Sequence, residues 1–209
     1  MSVTLRWLGH ASFRIGGGAV TYVDPWKLDH DDVADLVVVS HPHYDHKSVP
    51  DIQRLQGPAT VVLTTPDGVA DIPGNVETIQ PGGRFEHAGV SVEAVPAYNP
   101  AKKFHPRSNH WIGCVIRVGG LRIYYAGDTD VTDEMVAQKD VDVALMPVGG
   151  TYTMDAAEAA GAVDRFGPKI AIPYHWGDIV GGRADAERFA ALATCDVRIL
   201  DPGGKTELG

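Results

Sequence analysis

The sequence predicts an α/β protein, with α+β character, in which two mixed sheets pack face to face and helices cover the outside. Three observations carry this. The first half is a series of short β-like runs punctuated by glycine, and the second half alternates strand-like with helix-like segments. The 209 residues contain no linker or low-complexity stretch, which suits one domain over 1–209 with a core large enough to fold unaided. Each sheet must bury an apolar face, and packing the two together with helices outside does so for both halves.

Val3–Leu8, Ser12–Ile15 and Val20–Val23 are predicted strands, parted by Gly9-His10 and by the turn Gly16-Gly17-Gly18. Asp24-Pro25 closes the third. Leu36–Val39 is an apolar run of strand length. A helix is predicted from about Val49 to Leu55, with Ser48 as its cap and Pro50 and Asp51 in its first turn. Thr60–Leu63 reads as strand, and Thr65-Pro66-Asp67 opens a short helix. Val76–Ile79, Arg84–Glu86 and Val90–Val95 continue the strand series, with turns at Gly82-Gly83 and Ala88-Gly89. Tyr98 to Asn109 carries prolines, lysines and His105, with His110 at its edge, and reads as an exposed loop of the kind that carries function.

Trp111–Val118 and Leu121–Tyr125 form a predicted hairpin around Gly119-Gly120. Alternation then takes over. Val131–Ala137 is predicted helix, Val141–Pro147 strand, Asp155–Phe166 helix, Ile170–Pro173 strand, Ala184–Leu192 helix, and Val197–Leu200 the last strand. No internal repeat is read from the sequence.

Hydrophobic residues make up 44% and charged residues 22%, ordinary for a soluble globular protein. The formal net charge is −9, whereas a nonspecific nucleic-acid or anionic-membrane binder is normally basic. Lys102, Lys103 and Arg107 form a local basic cluster with His105. The two cysteines, Cys114 and Cys195, stand far apart in apolar settings and read as buried thiols. Met1–Trp7 lacks the charged start and apolar core of a signal peptide, and no apolar run approaches membrane-spanning length. A cytoplasmic protein with no membrane partner is expected.

The run His41-Pro42-His43-Tyr44-Asp45-His46 follows directly on Leu36–Val39 and Ser40. Imidazoles and a carboxylate together suit zinc, manganese or iron(II). Pro42 prevents helix and biases its neighbour to extended geometry. In an extended segment His41, His43 and Asp45 point to one side and His46 to the other, so one loop could serve two adjacent metal positions. Three further sites sit at strand ends, where α/β proteins build sites. They are Asp128 after Ile123–Tyr125, His175 after Ile170–Pro173, and the loop with Asn99, His105 and His110.

In these motifs the chain resembles the metallo-β-lactamase-fold superfamily of metal-dependent hydrolases. The resemblance spans Gly9-His10, Val23-Asp24-Pro25, His41-x-His43-x-Asp45-His46, Ala126-Gly127-Asp128-Thr129 and Pro173-Tyr174-His175. Pro147-Val148-Gly149-Gly150-Thr151-Tyr152-Thr153-Met154 is similar to the lactonase and uncharacterised-hydrolase branch, which includes ascorbate-6-phosphate lactonase and is close to the N-acyl phosphatidylethanolamine phospholipases. The resemblance implies a four-layer αββα sandwich with two metal ions at one edge, zinc first and manganese or iron(II) as alternatives. His41 and His43 would bind the first ion; Asp45, His46 and His175 the second; and Asp128 would bridge them. Asp24 would orient the metal-bound imidazoles from behind.

The chain departs from that pattern where the superfamily places the first ion's third histidine: Asn99 stands there, and asparagine is a poor zinc ligand. His105 is the expected replacement, since six residues span up to about 20 Å and can fold back; His110 is the alternative. His110, Asn99 and His10 are otherwise expected to face substrate, and His30 and His87 to lie at the surface. Two such ions would hold a hydroxide, lower the pKa of water to near 7 and attack an ester, lactone or phosphodiester, with Asp45 or Asp128 taking the proton. Lys102, Lys103 and Arg107 could hold an anionic group on a small-molecule substrate, although solvated surface charge is the simpler reading. A homo-oligomer stays open. Two other classes compete: an iron-dependent redox protein of the same fold, for which the chain has no room for a flavin domain, and a non-catalytic or RNA-processing metal-binding relative, against which the acidic charge counts.

Overall fold

In the computed structural model, which describes residues 2–29 and 32–209, the chain forms two seven-stranded sheets. The first runs in the order β14 (Lys205–Leu208), β1 (Val3–Gly9), β2 (Ser12–Gly16), β3 (Val20–Val23), β4 (Leu36–Val39), β5 (Val61–Thr64) and β6 (Asn75–Thr78). The second runs β13 (Asp196–Val197), β12 (Ile170–Tyr174), β11 (Val143–Pro147), β10 (Leu121–Tyr125), β9 (Ile112–Val118), β8 (Val90–Pro96) and β7 (Arg84–His87). Within each sheet an antiparallel part passes into a parallel part, at β3–β4 in the first and β10–β11 in the second. The two halves therefore share a layout that no repeat in the sequence reveals.

The run Leu36-Val37-Val38-Val39 is apolar throughout because β4 is covered on both faces, as buried parallel strands are. Leu36 and Val38 face the large core between the sheets. Val37 and Val39 face a smaller cluster with Tyr22, Val62, Ile52 and Leu55, the last two from α1 (Val49–Leu55). Ser48 caps α1, accepting from Asp51 N. On the far side α3 (Ala156–Phe166) and α4 (Arg183–Leu192) pack over β11 and β12. Asp155 caps α3 by accepting from Ala157 N and Glu158 N, while the Glu158 carboxylate accepts from Asp155 N. The layers are helix, sheet, sheet, helix, as the sequence predicts.

Three elements differ from expectation. The helix predicted over 131–137 shrinks to α2 (Asp133–Val136), because Thr132 takes an extended conformation and caps it, leaving Val131 outside. The strand predicted over 197–200 ends at Val197, and a further strand, β14, crosses to the other sheet and pairs antiparallel with β1. Its sequence Lys-Thr-Glu-Leu has one buried apolar residue, Leu208, and Glu207 instead accepts from the Ser2 and Thr4 hydroxyls. Cys114 is buried and Cys195 only half-buried; both are free thiols. No helix among the described residues is long and apolar enough to cross a membrane.

The crossing at β9 is tight. A Cβ on Gly113 would press on the Ala126 carbonyl oxygen and come within 2.6 Å of the Tyr125 oxygen. Gly113→Ala is expected to cost about 1–3 kcal/mol by overpacking. At about 2–4 °C per kcal/mol for a chain of this size, calorimetry should record a fall of several degrees in Tm. An unchanged midpoint would mean that β9 and β10 can part without penalty.

Candidate metal centre

The histidine loop leaves β4 at Ser40 and folds into a turn, with His46 N and Lys47 N both donating to His43 O, at 3.0 and 2.8 Å. The extended geometry expected of this segment is therefore corrected. Asp45 does not share a side with His41 and His43; it groups with His46. Pro42 shapes only its immediate neighbours, and two hydrogen bonds to one carbonyl then reverse the chain.

Among the described residues three groups could hold a metal; one of them, Asp24 with His41 and His46, lies behind the other two. In the first of those two, the ring nitrogens of His41, His43 and His105 lie within 4.8 Å of one another. His41 Nε2 and His43 Nδ1 are 3.0 Å apart. In the second, His10, Asp45, His46 and His175 meet the same criterion. Asp128, at the end of β10, stands between the groups. His46 Nε2 lies 3.3 Å from its Oδ1, and His105 Nε2 and His175 Nε2 each lie 3.3 Å from its Oδ2. Gly127 permits this placement: its φ is 72°, and a Cβ there would lie only 2.7 Å from Ile112 O. His10, Asp24 and His175 also hold left-handed backbone, at φ 46°, 45° and 62°. Such conformations cost of order 1–3 kcal/mol each and persist where surroundings over-determine them, typically at functional sites.

Asp24 is fully buried behind the ligands. Its Oδ2 accepts from His46 Nδ1 (2.7 Å), Tyr125 Oη (2.6 Å) and Ser40 Oγ (2.5 Å), and its Oδ1 from Ser40 N (2.7 Å). Because Ser40 Oγ donates to Asp24, it accepts from His41 Nδ1 at 2.9 Å. The carboxylate thus directs the Nε2 of both His46 and His41 forward. Asn99 does the same for His105. It is buried, its Oδ1 accepts from His105 N (3.0 Å) and from His105 Nδ1 (2.8 Å), and its Nδ2 donates to Tyr152 O (3.0 Å). Asn99, expected to face substrate, instead turns its amide oxygen to the histidine six residues on. His10 likewise points inward, with Nε2 2.9 Å from Asp45 Oδ2.

His110 is exposed, in the left-handed residue that ends a short turn over Arg107–Asn109, and belongs to neither ligand group. Lys102 is bound to Asp130 (2.7 Å) and Thr153 O (2.6 Å), and Arg107 to Glu134 (2.7 Å). Of Lys102, Lys103 and Arg107, only Lys103 lines the cavity over the ligands. His87 is half-buried at the end of β7, stacked on Phe85. His30 lies outside the described residues. The roles of Ser40 and Tyr125, and the walls Tyr44, Phe104, Tyr152 and Ile179, have no spacing signal in the sequence and emerge only from tertiary contact.

The donor set fits divalent metal. His46 Nε2, His175 Nε2 and Asp128 Oδ1 are buried without a hydrogen-bond partner among the described residues. Such orphaned groups are costly unless something binds them. Two ligands each about 2.0–2.1 Å from a tetrahedral zinc lie about 3.3 Å apart, the spacing that surrounds Asp128. Protonation states agree in part. Burial holds the His41 imidazole well below its ordinary range, with His46 adding to the effect; burial and then His105 hold His43 down. Both are thereby held in the neutral form that can offer a ring nitrogen to a metal. Burial would raise Asp128, but His175 and His46 outweigh it and hold the carboxyl well below the usual range. Burial also opposes charge on His46, yet the Asp128 and Asp24 carboxylates hold it well above its ordinary range, so a metal bound there would have to displace a proton. A cavity of about 480 Å³ opens over His43, Asp45, His105 and Asp128. A cavity of equal volume between the β7–β8 and β9–β10 turns holds none of these ligands.

Residues 4–175 match the family described as Beta-lactamase superfamily domain. A UPF0173 metal-dependent hydrolase of Thermoplasma volcanium is 34% identical over 206 residues, covering 92% of each chain. One of Pyrococcus abyssi is 32% identical over 225 residues, covering 99% of this chain and 100% of its own. Among solved structures, a candidate metal-dependent hydrolase of Parabacteroides distasonis superposes with TM-score 0.84 at 33% identity, covering 94% of this chain and 92% of its own. A metallo hydrolase of Ignicoccus hospitalis shares the fold with TM-score 0.82 at 24% identity, over 100% of this chain and 99% of its own.

Proposed function

The chain belongs to the beta-lactamase superfamily and is a metal-dependent hydrolase, and on that premise we propose that it works with two zinc ions on a small-molecule ester, lactone or phosphodiester. The observation that most supports this is the convergence of three histidine Nε2 atoms, each at 3.3 Å, on the single carboxylate of Asp128. His41, His43 and His105 would hold one ion, Asp45, His46 and His175 the other, and Asp128 would join both. Bound there, such ions polarise a carbonyl or phosphoryl oxygen and bring the pKa of water to near 7.

The chain's own residues do the rest. Asp24, through His46 and through Ser40 to His41, fixes which nitrogen faces forward. Asn99 does so for His105. Burial would raise the Asp45 carboxyl, but the hydrogen bond from His10 together with the nearby His46 and His10 imidazoles holds the group low. Asp45 lines the cavity in its ionised form and takes the proton of the attacking water. Lys103 faces an anionic group on the substrate.

The test is hydrolysis of ester, lactone and phosphodiester panels by protein loaded with zinc or manganese, with His43→Ala beside it. Full metal content and full activity in His43→Ala would end this reading. Asn99→Ala carries a further expectation. Partners behind metal ligands are typically worth 10–100-fold in affinity. Competition with a chelator should show one of the two ions bound about 10–100-fold more weakly and the other unchanged. Equal affinity for both would mean that His105 needs no support from Asn99.

A further inference from the structure

The cavity over the metal centre has a polar floor and an apolar wall. At about 480 Å³ it falls in the range that takes a small molecule. Tyr44, Phe104, Tyr152 and Ile179 line it, and Phe104 meets Tyr152 edge-on with ring centroids 4.8 Å apart. Tyr44 is 68% exposed and Phe104 40%. Among the described residues only Val33 and Leu192 are large apolar side chains left comparably open, and neither lines this cavity. Half of the openly exposed large apolar side chains therefore ring one site. Apolar surface gathered at a functional cleft marks what the cleft covers. Trp26 meets Tyr44 edge-on, with ring centroids 6.0 Å apart.

The charge lining is equally selective. Lys103 has no ion-pair partner among the described residues, whereas Lys102 and Arg107 are neutralised by Asp130 and Glu134. One cation beside an apolar wall suits one anionic group. A phosphodiester chain needs a row of cations to neutralise successive phosphates, and the chain's net charge of −9 works against one.

We infer that the substrate is a carboxylic ester or lactone with an apolar acyl or aryl body held among Tyr44, Phe104, Tyr152 and Ile179 and a single anionic group at Lys103. This rests on the hydrolase reading above and narrows it. The reaction forms a bond from water oxygen to the carbonyl carbon and breaks the bond from that carbon to the leaving oxygen. One water proton goes to the leaving oxygen and the other, by way of Asp45, to solvent.

The experiment compares kcat/KM of the metal-loaded protein on five probes: 4-nitrophenyl acetate, 4-nitrophenyl hexanoate, the mono-4-nitrophenyl ester of suberic acid, its methyl ester, and bis(4-nitrophenyl) phosphate. A fully buried methylene is worth about fourfold and one in an open cavity less, so hexanoate should exceed acetate by at least about tenfold. Phe104→Ala and Tyr44→Ala, both at exposed positions that tolerate truncation, should lower that ratio severalfold. The suberate acid should exceed its methyl ester by about two- to fivefold, as an exposed charge pair allows. In Lys103→Ala that ratio should fall to about one. Equal rates on acetate and hexanoate, or bis(4-nitrophenyl) phosphate as the best probe, would overturn the inference and leave the hydrolase reading standing. Hydrolysis of none of the five by protein carrying its metal would overturn both.

Discussion

Asp128→Ala is expected to empty both metal positions and to lower hydrolysis by at least about a thousandfold. Three histidine nitrogens drawn from both ligand groups meet on this one carboxylate. Metal polarisation supplies several kcal/mol of transition-state stabilisation. Each 1.36 kcal/mol is tenfold in rate, so loss of about 4 kcal/mol gives roughly that figure. The folded state should survive, because the core between the sheets and the cluster under α1 do not include Asp128. Circular dichroism checks the fold, metal analysis the ions and a rate assay the loss. A variant with native metal content would show that Asp128 is not the shared ligand.

His105→Ala should separate the two positions. Without His105 the first ion would keep only His41, His43 and its share of Asp128, while Asp45, His46 and His175 are untouched. Metal analysis should then fall from two ions per chain towards one. Activity should drop by about a hundredfold or more, since a two-ion site clamps both attacking and leaving oxygens. His110→Ala is the matching control. His110 is exposed, caps a turn and lies outside both ligand groups, so its truncation should leave the metal count unchanged. Loss of an ion in His110→Ala and none in His105→Ala would reverse the assignment made for the first position.

Some of this was legible in the chain and some was not, for physical reasons. Strands such as Leu36–Val39 declare themselves because burial on both faces demands an unbroken apolar run. Lys205–Leu208 does not, because an edge strand with one inward residue carries too little pattern. His41, His43, Asp45, His46, Asp128 and His175 stand at strand ends in recognisable spacing. The substitution at Asn99 announces only that a ligand is missing there. That the asparagine supports its own replacement follows from a loop that brings Asn99 N to His105 O at 2.8 Å, a closure with no local code. The pairing of His10 with Asp45 joins positions 35 apart in sequence, and only two packed strand ends bring them together. The turn at His43 was misread because a proline constrains its neighbours and says nothing about the carbonyl that two later amides choose.

The most direct test of the dinuclear centre is the metal content, by mass spectrometry, of the native chain purified without added metal and then titrated with zinc. The arrangement around Asp128 predicts saturation at two ions per chain, with the ion held by His41 and His43 lost first in His105→Ala. Saturation at one ion, or no tight binding at all, would contradict it.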